Sequence, residues 1–459
     1  MRRILWFRRD LRVSDNPLLS LNGEVLPIFI FDTNILDPLP KNDRRVTYIF
    51  EQVMRLKRSL QRLDLDLMIF YGDPVEIFKV LEKEGFDEVA ASGDYDSYAR
   101  ARDTKVSMIL PFNSLYDTYI FQPDEVVKDD GTPYLVFTPF YNKARSLFGK
   151  AHLRHYTPVK QRLLAAQYEE ITEIKESTER SLPLTLSSLG FEVNRPDTQS
   201  LEAKLSALEK KLPAYAKERD YPALDATSNL SPELRFGVLG IRELLRFLAE
   251  QKKRGIDTEP FFRQLVFRDF YACLLYHFPE LAWKNHRYPF NGIEDQERFE
   301  AFCESRTGVP IIDAGIRQLL ATGRMHNRVR MVCASFFTKD LLLPWQWGEK
   351  FFAQHLLDYD AASNILSWQW SVGTGIDPQP YFRIFNPWLQ AKKFDKEARY
   401  IKMWVPELAT LDAKQIHDER FMLSYRIENY PGPMVVHKEA ANKALEYFKK
   451  RMAEGVEHA

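Results

Sequence analysis

The first 130 residues alternate short apolar runs with helix-like segments, and this alternation limits the fold more than any other feature of the chain. Apolar runs of strand length occupy residues 4–7, 25–31, 65–71 and 88–91, whereas residues 44–63 and 74–85 have the apolar spacing of amphipathic helices. Strands that alternate with helices form parallel sheets covered by helices on both faces. The sequence therefore predicts a doubly wound parallel α/β domain over residues 1–130. This region contains no GxGxxG motif, the usual dinucleotide-binding signature.

Strand-like runs stop near residue 195, and helical spacing continues to the end of the chain. A helix start is indicated by Ser231, Pro232 and Glu233. The apolar stripe that follows predicts one helix from Ser231 to Lys253. Further helices are predicted over residues 259–277, 311–322, 328–342, 347–357 and 438–452. We predict an all-α domain over residues 200–459, joined to the first domain by an interdomain connector over residues 131–199.

Cysteine content and the first residues indicate the cellular compartment. Cys273, Cys303 and Cys333 fit neither a disulfide framework nor a CxxC metal site, and they are too few for a four-cysteine iron–sulfur cluster. The opening MRRILWFRRDLRVSD has only four consecutive apolar residues before charges return, which is too short for a signal peptide. We expect a cytoplasmic protein without metal or membrane contact.

Charge is balanced overall but segregated locally. Sixty-four basic residues against 64 acidic residues give a formal net charge of zero, so no overall field favours a polyanion. Residues 321–340, however, contain four basic residues and one acid, and residues 381–402 contain six basic residues and two acids among aromatic side chains. Basic, aromatic stretches suit a nucleic-acid backbone, although a solvated helix face is the common alternative.

Three polar clusters are candidates for chemistry. Residues 227–231 place hydroxyls and backbone N–H groups at a helix start, which suits a phosphate but is also an ordinary serine cap. Residues 325–331 combine Asn327 and Arg328 with His326, which we interpret as a structural histidine. Residues 358–364 bring two carboxylates near Trp368 and Trp370, without the spacing of metal ligands. Four of the eight tryptophans fall within residues 345–370, which core packing does not require.

Longer motifs make the chain recognisable. It contains, in this order, WFRRDLRVSDNPLL, TSNLSPELRFG, TGRMHNRVRM and DYDAASNILSWQWSVGTGIDPQPYFRIFNP. With these motifs it resembles the photolyase/cryptochrome family, most closely the class I cyclobutane pyrimidine dimer photolyases. The resemblance implies an antenna domain followed by a helical domain that holds a U-shaped FAD. It also implies a light-driven lyase that transfers an electron from excited reduced FAD to a flipped-out dimer in UV-damaged DNA.

The resemblance assigns cofactor contacts position by position. The residues expected to contact FAD are Tyr215, Thr227, Ser228, Asn229, Leu230, Ser231, Arg268, Arg330, Asp358, Tyr359, Asp360 and Asn364. Among them, Arg330 and Asp358 resemble an ion pair beside the isoalloxazine ring. Asp360 resembles the residue that faces the polar edge of the ring, and Asn364 the residue opposite flavin N5.

The resemblance also assigns a DNA and substrate surface. Its expected members are Arg219, Phe261, Gln264, Phe267, Asn327, Arg328, Met331, Trp370 and Lys392. Asn327 matches the dimer-type pattern, because relatives that act on (6-4) photoproducts carry histidine there. Gln264 and Phe267 depart from the family's Glu and Trp, which predicts weaker dimer binding or an altered substrate. The alternatives are therefore repair of a different photoproduct and a cryptochrome-like blue-light photoreceptor with little or no repair.

Two further roles follow from the family pattern. Trp368 and Trp345 occupy the proximal and middle positions of the electron-transfer chain, and with Asn364 and Gln264 they form the expected catalytic set. Tyr288, Trp347 and Trp283 are the candidates for the last position. Residues 94–100 lack the acid of folate-binding relatives at Ala99, which favours deazaflavin or FMN as antenna and leaves an empty pocket open. We expect a monomer whose partner is UV-damaged DNA, with no protein partner.

Overall fold

The structure is a computed structural model that describes residues 1–163, 185–197 and 199–456. These residues form two compact units. The first unit consists of the described residues of Met1–Tyr134, Thr138–Glu209 and Ser228–Pro279, and the second of the described residues of Leu135–Phe137, Lys210–Thr227 and Glu280–Ala459. The units divide the chain differently from the predicted domain boundaries, which stay predictions. Residues 164–184 and 198 of the predicted connector lie outside the described residues.

The first unit is built on a parallel sheet, as the alternation of strands and helices predicts. Its described strands are β1 (Arg2–Phe7), β2 (Glu24–Asp32), β3 (Met68–Gly72), β4 (Glu88–Ser92), β5 (Phe112–Leu115) and β6 (Arg162–Leu163). Their order is β3-β2-β1-β4-β5, and β6 pairs with β2. The register aligns Ile4 with Leu26 on one side and with Val89 on the other. The strand order reverses at β1, so β1 and β4 flank the point where open α/β sheets bind ligands.

Helices account for most of the remaining described residues. In chain order they are Thr33–Leu36, Arg44–Gln61, Pro74–Glu82, Ser97–Ser107, Phe137–Leu147, Leu201–Lys211, Tyr215–Glu218, Ser231–Arg235, Ile241–Lys253, Glu259–His277, Gln296–Cys303, Pro310–Thr322, Asn327–Ser335, Trp345–His355, Ala361–Val372, Pro387–Phe394, Arg399–Trp404, Ala413–Ile416, Glu419–Ser424 and His437–Val456. None of them is long and apolar enough to cross a membrane.

The predicted single helix from Ser231 to Lys253 is wrong, because the chain forms Ser231–Arg235 and Ile241–Lys253 instead. Gly237 lies between them with a left-handed φ of 64°, which glycine adopts at little cost. A Cβ atom at this position would lie 2.0 Å from the carbonyl oxygen of Arg9. The break thus lets the backbone approach the loop after β1.

The second unit packs helices around one apolar core that includes Trp345, Trp368 and Tyr400. Here the predicted helix over residues 328–342 divides into an α-helix, Asn327–Ser335, and a π-helix, Phe336–Asp340. The wider turn changes the direction of the side chains that follow, and buried Lys339 donates from Nζ to the carbonyl oxygen of Arg383 at 2.8 Å. Apolar periodicity continues through such a turn, which is why the sequence does not reveal it.

Candidate functional site

An arginine–aspartate pair joins two helical segments of the second unit. Arg330 lies on the helix Asn327–Ser335, and its Nη2 is 3.1 Å from both carboxylate oxygens of Asp358. Its Nε donates to the carbonyl oxygen of Met325 at 2.8 Å, so the plane of the guanidinium is fixed from two sides. The Asp358 side chain is almost buried, whereas that of Arg330 is partly exposed. The sequence-predicted ion pair is therefore formed.

Asn364 lies one helical turn from the start of Ala361–Val372, where Asp360 caps the helix by accepting from the backbone N–H of Ser363 at 3.1 Å. The Nδ2 group of Asn364 is 3.1 Å from the carbonyl oxygen of Glu349 and 3.0 Å from Glu349 Oε1. Tyr359 donates its hydroxyl to the same Oε1 at 3.3 Å. Burial raises the pKa of the Glu349 carboxyl. Three residues predicted to contact the cofactor thus lie at the start of one helix, and Glu349 bonds the side chains of two of them, Tyr359 and Asn364.

The two predicted electron carriers are buried in the second unit. Trp368 is 2% exposed and is contacted edge-on by Phe337 and Phe352, whose ring centroids lie 5.4 and 5.0 Å away. Its indole lies over the backbone of Gly348, where a Cβ atom would be 2.3 Å from Trp368 Cη2. Trp345 donates from Nε1 to Asn285 Oδ1 at 2.8 Å. Helix Trp345–His355 can approach Trp368 so closely only because residue 348 has no side chain.

The three candidates for the last electron carrier differ in exposure. Trp283 is 57% exposed, and Tyr288 is 36% exposed and stacks on Phe290 with centroids 5.2 Å apart. Trp347 is only partly exposed and contacts Phe299 edge-on at 5.3 Å. Trp283 and Tyr288 flank Asn285, the hydrogen-bond partner of Trp345, so both share a short segment with it. Their part in electron transfer stays a prediction.

Asn327, Arg328 and Met331 begin one helix of the second unit and form a partly exposed surface. The Nδ2 group of Asn327 lies 3.7 Å from the sulfur of Met331, one turn further on. Arg328 pairs with Asp220 at 3.1 Å, and its guanidinium lies 4.2 Å from the centroid of the Phe394 ring. Trp370 is half-buried and Lys392 is exposed. The arginine predicted to hold a phosphate is thus already oriented by a carboxylate and an aromatic ring.

His326 caps this helix, which supports its interpretation as a structural histidine. Its Nδ1 accepts from the backbone N–H of Arg328 at 3.1 Å. Burial lowers the pKa of the imidazole to about 4, and the nearby guanidinium groups of Arg330 and Arg328 act in the same direction. The side chain is therefore neutral at physiological pH and presents an acceptor to the helix start.

Replacing His326 with asparagine is expected to remove part of the pH dependence of stability. The folded-state pKa lies below the ordinary value of 6.5, so the unfolded chain takes up the proton first as the pH falls. The wild-type protein should lose about 2 kcal/mol at pH 5 relative to pH 8 through this group, whereas asparagine keeps the cap and does not titrate. Urea unfolding of both proteins at both pH values measures the difference. An identical pH dependence would contradict the lowered pKa.

The segment Lys210–Thr227 of the second unit carries three predicted site residues, Tyr215, Arg219 and Thr227. Tyr215 is buried, and the guanidinium of Arg219 lies 5.6 Å from the centroid of its ring. Lys211 donates from Nζ to the carbonyl oxygen of Thr227 at 3.1 Å and pairs with Asp225 at 2.8 Å. The short loop that carries Thr227 is thus fixed through its backbone, which leaves the threonine side chain half-exposed.

The helix Ser231–Arg235 belongs to the first unit, and it is preceded there by Ser228, Asn229 and Leu230. Asn229 has a left-handed φ of 55°, and its carbonyl oxygen accepts from Lys204 Nζ at 3.1 Å. Lys204 is buried and also pairs with Glu233 at 2.6 Å. Leu230, rather than a serine, occupies the cap position and makes no side-chain cap hydrogen bond. The serine-cap alternative is therefore wrong, since Ser231 is already the first helical residue.

The helix Glu259–His277 of the first unit carries four predicted site residues. Phe261, Gln264 and Arg268 recur at intervals of three and four and so share one face. Arg268 donates to the carbonyl oxygens of Thr118 at 2.7 Å and Leu234 at 3.3 Å. The side chains of Gln264 and Phe267 are half-buried, and Gln264 Nε2 lies at the limit of a hydrogen bond, 3.5 Å from the carbonyl oxygen of Pro260. Arg268 is held firmly, whereas Gln264 has a weak local contact.

Residues 94–100, the predicted antenna segment, follow β4 in the first unit. Asp94 pairs with Arg9 at 2.9 Å, and Asp96 caps the helix Ser97–Ser107 by accepting from the backbone N–H of Ala99 at 2.8 Å. The hydroxyl of Tyr98 donates to Asp32 Oδ2 at 2.7 Å. These contacts lie at the carboxyl ends of the strands, where a second chromophore would be expected. Deazaflavin or FMN as antenna stays a prediction.

Four residues of these clusters were missed by sequence reasoning: Glu349, Asp220, Phe394 and Lys204. Each is an ordinary helix or loop residue in the sequence, and each meets its partner only through packing of segments far apart in the chain. Asp220 is adjacent to Arg219 and was the only one with a local hint. No motif or spacing points to the others.

The chemistry of the second-unit cluster fits an isoalloxazine ring. A flavin ring needs donors and acceptors along one polar edge, and the protein controls it through hydrogen bonds near N1 and N5 and through nearby charge. Arg330, Asp358, Asp360 and the amide of Asn364 supply a cation, two carboxylates and a neutral amide. Groups of three or more metal-ligating side chains do not occur among the described residues.

Comparisons with known proteins agree with this chemistry. A family model described as DNA photolyase matches residues 3–161, and one described as the FAD binding domain of DNA photolyase matches residues 261–450. A deoxyribodipyrimidine photo-lyase of Alkalihalophilus pseudofirmus is 33% identical, and the match covers 97% of this chain and 98% of the relative.

Solved structures show the same likeness. A class III photolyase of Agrobacterium tumefaciens has a TM-score of 0.85 and 32% identity, with 98% of each chain covered. An archaeal photolyase of Sulfolobus tokodaii, solved with two FAD molecules, has a TM-score of 0.82 and 30% identity; 98% of this chain and 100% of that chain are covered.

Together with these matches, the parallel α/β unit, the helical unit and the flavin-suited cluster place the chain among the FAD-binding photolyases. The chain belongs to the DNA photolyase family. FAD is therefore its cofactor, and the predicted fold class is confirmed.

Proposed function

We propose that this photolyase repairs cyclobutane pyrimidine dimers in UV-damaged DNA. The observation that carries this proposal is Asn327, an exposed amide at the start of the helix that also carries Arg328 and Met331. Repair of (6-4) photoproducts requires proton transfer, which histidine performs and a neutral amide does not. Dimer splitting by electron transfer needs no such proton donor. The relative from Alkalihalophilus, named for dipyrimidine lyase activity, supports the same substrate class.

In this proposal the second unit positions the flavin ring and supplies electrons. Arg330 and Asp358 would hold the isoalloxazine from one side, Asp360 would face its polar edge and Asn364 would lie opposite N5. FAD, when bound and reduced, supplies the electron that splits the dimer. Trp368 and Trp345 carry electrons toward the flavin during its photoreduction. Their burial excludes water from both indoles.

DNA would be held by local basic groups rather than by net charge. Arg219, Arg328 and Lys392 are the proposed phosphate contacts, and Asn327, Met331 and Trp370 the proposed pocket groups of the second unit. The contacts of Arg328 with Asp220 and Phe394 hold its guanidinium in place before DNA arrives. Such preorganisation reduces the entropy lost on binding.

The test is repair itself. The protein with reduced FAD is mixed with oligonucleotides that contain either a cyclobutane dimer or a (6-4) photoproduct and is then exposed to blue light. We expect restored pyrimidines from the dimer substrate only. Restoration of the (6-4) substrate would indicate the other photoproduct, and restoration of neither would favour a cryptochrome-like photoreceptor, the second candidate suggested by Gln264 and Phe267.

Phe267→Trp and Gln264→Glu are expected to strengthen dimer binding. An indole offers more stacking surface than a phenyl ring, and base stacking contributes about 1–3 kcal/mol per base, so about 1 kcal/mol, or roughly fivefold tighter binding, is expected for Phe267→Trp. Gln264→Glu restores a charged acceptor where Gln264 has only a weak contact. Binding to a dimer-containing oligonucleotide is measured in the dark.

A matched control is Tyr271→Trp, which enlarges an aromatic side chain one turn further along the same helix. The Phe267 and Tyr271 rings are 6.1 Å apart, so both variants disturb the same region. Unchanged affinity and repair in Phe267→Trp with Gln264→Glu would refute the idea that these two residues weaken dimer binding.

A further inference from the structure

Lys204 is a buried lysine of the first unit to which no motif assigns a role. It lies on the helix Leu201–Lys211, and its side chain is 3% exposed. Lysine is almost never fully buried unless its charge is paired. The contacts of its ammonium group therefore show what this side chain does.

The ammonium of Lys204 contacts a backbone oxygen and a carboxylate. Its Nζ donates to the carbonyl oxygen of Asn229 at 3.1 Å and to Glu233 Oε1 at 2.6 Å. Glu233 is also buried, and its Oε1 accepts from the hydroxyl of Tyr48 at 3.2 Å. Because the carboxylate balances the ammonium, the pair adds no net charge beside Asn229. Lys204 therefore acts on this backbone through geometry rather than through charge.

Asn229 determines the shape of residues 228–231. Its φ is 55°, whereas Leu230, the next residue, has a φ of −93° and a ψ of 1°. Successive residues with φ of opposite sign turn their backbone N–H groups toward one side, and such a concavity binds anions. A left-handed φ is uncommon outside glycine and persists only where the surroundings hold it. The hydrogen bond from Lys204 to the carbonyl oxygen of Asn229 holds this backbone.

We propose that Lys204 is a positioning residue that keeps the backbone of Asn229 in the conformation that binds a phosphate of FAD. Glu233 fixes the ammonium against the Asn229 carbonyl, and Lys204 acts without touching the cofactor. This inference rests on the expected contact of residues 228–231 with FAD, and it does not depend on which DNA lesion the enzyme repairs.

The test compares FAD affinity with stability, in the dark and without DNA. Lys204→Met keeps most of the side-chain volume but removes the donor, and we expect about tenfold weaker FAD binding when the holoprotein is dialysed against decreasing FAD concentrations. The substitution also leaves the Glu233 carboxylate buried without its cation, which lowers stability in denaturant unfolding.

A double variant separates positioning from support of the fold. Lys204→Met with Glu233→Leu removes both charges, and apolar replacement of a buried ion pair is often neutral, so most of the lost stability should return. FAD affinity should stay about tenfold below that of the wild type, because the Asn229 carbonyl still lacks its donor. Recovery of both stability and affinity would show that Lys204 only supports the fold, and it would overturn the proposal.

Glu233→Gln distinguishes geometry from charge. The amide oxygen can still accept from Lys204, so FAD affinity should stay within about twofold of the wild-type value. Tighter FAD binding would mean that the unbalanced ammonium attracts the phosphates directly, and it would contradict a positioning role.

Lys57 provides a matched control in the same unit. Its Nζ likewise contacts a carboxylate and a backbone carbonyl, Asp66 Oδ1 at 2.6 Å and the oxygen of Leu67 at 2.9 Å. Lys57→Met should lower stability and leave FAD affinity unchanged. Equal losses of FAD affinity in Lys57→Met and Lys204→Met would overturn the proposal.

The outcomes also separate this inference from the proposed repair function. Wild-type FAD affinity in Lys204→Met would reject the role of Lys204 and leave dimer repair untouched. Failure of the wild-type protein to repair dimers, with the expected FAD affinities in the variants, would reject only the proposed substrate.

Discussion

Gly348→Ala is expected to destabilise the second unit by about 3 kcal/mol. The added Cβ would lie 2.3 Å from Trp368 Cη2 and 2.5 Å from Cζ3, well inside contact distance. Trp368 has little room to move, since Phe337 and Phe352 contact it edge-on. The helix must therefore shift, and photoreduction of FAD should slow with it. Denaturant unfolding and the rate of flavin reduction under blue light measure the two effects.

The matched variant is Gly348→Ala combined with Trp368→Phe. The smaller ring leaves space for the new methyl group, so the two substitutions should cost much less together than the sum of the single changes. The double variant should regain stability but not photoreduction, because the indole is absent. Additive losses of stability would contradict a direct clash between residues 348 and 368.

Asp358→Ala is expected to weaken FAD binding by about 2 kcal/mol, or roughly 30-fold. Arg330 loses the carboxylate that contacts it through both oxygens at 3.1 Å, and its guanidinium is left with the carbonyl oxygen of Met325 as its other fixed partner. The cation beside the proposed flavin ring then loses its orientation. Titration of apoprotein with FAD, followed by flavin fluorescence, gives the affinity.

Glu407→Ala provides the control for Asp358→Ala. Arg317 and Glu407 form a comparable pair in the same unit, with contacts of 2.8 and 2.9 Å, and neither residue belongs to the proposed site. Removal of the Glu407 carboxylate should lower the stability of the protein and leave its affinity for FAD unchanged. Wild-type affinity in Asp358→Ala, or equal losses in both variants, would show that the Arg330–Asp358 pair has no specific part in holding the cofactor.

Local sequence determined the larger elements of the fold but not their interruptions. The apolar runs at β1, β2 and β4 are buried on both faces, and such runs are strong strand indicators. Phe112–Leu115 is a short, largely half-exposed strand without such a run, and it was missed. The break at Gly237 depends on the backbone of Arg9, which is distant in sequence. Periodicity cannot report a contact of this kind.

Sequence motifs predicted the contact residues of the candidate site but not the residues that orient them. Motifs identified residues such as Arg330, Asp358 and Asn364, and the structure joins the first two in the expected ion pair. The residues that orient them, Glu349 for Asn364 and Asp220 for Arg328, carry no motif, because any acceptor at the right point of the packed helices would serve. Supporting residues are a property of packing and are found only in three dimensions.

The hydrogen bond between Trp345 and Asn285 has a consequence for proton movement. The indole N–H of Trp345 is 2.8 Å from a neutral amide oxygen, which is a very weak base, and the side chain is 1% exposed, so no water can take the proton. In its proposed role as an electron carrier, an oxidised Trp345 would therefore keep its proton and remain a radical cation. Only positive charge would then move past this residue, and deprotonation would be left to an aromatic residue at the surface.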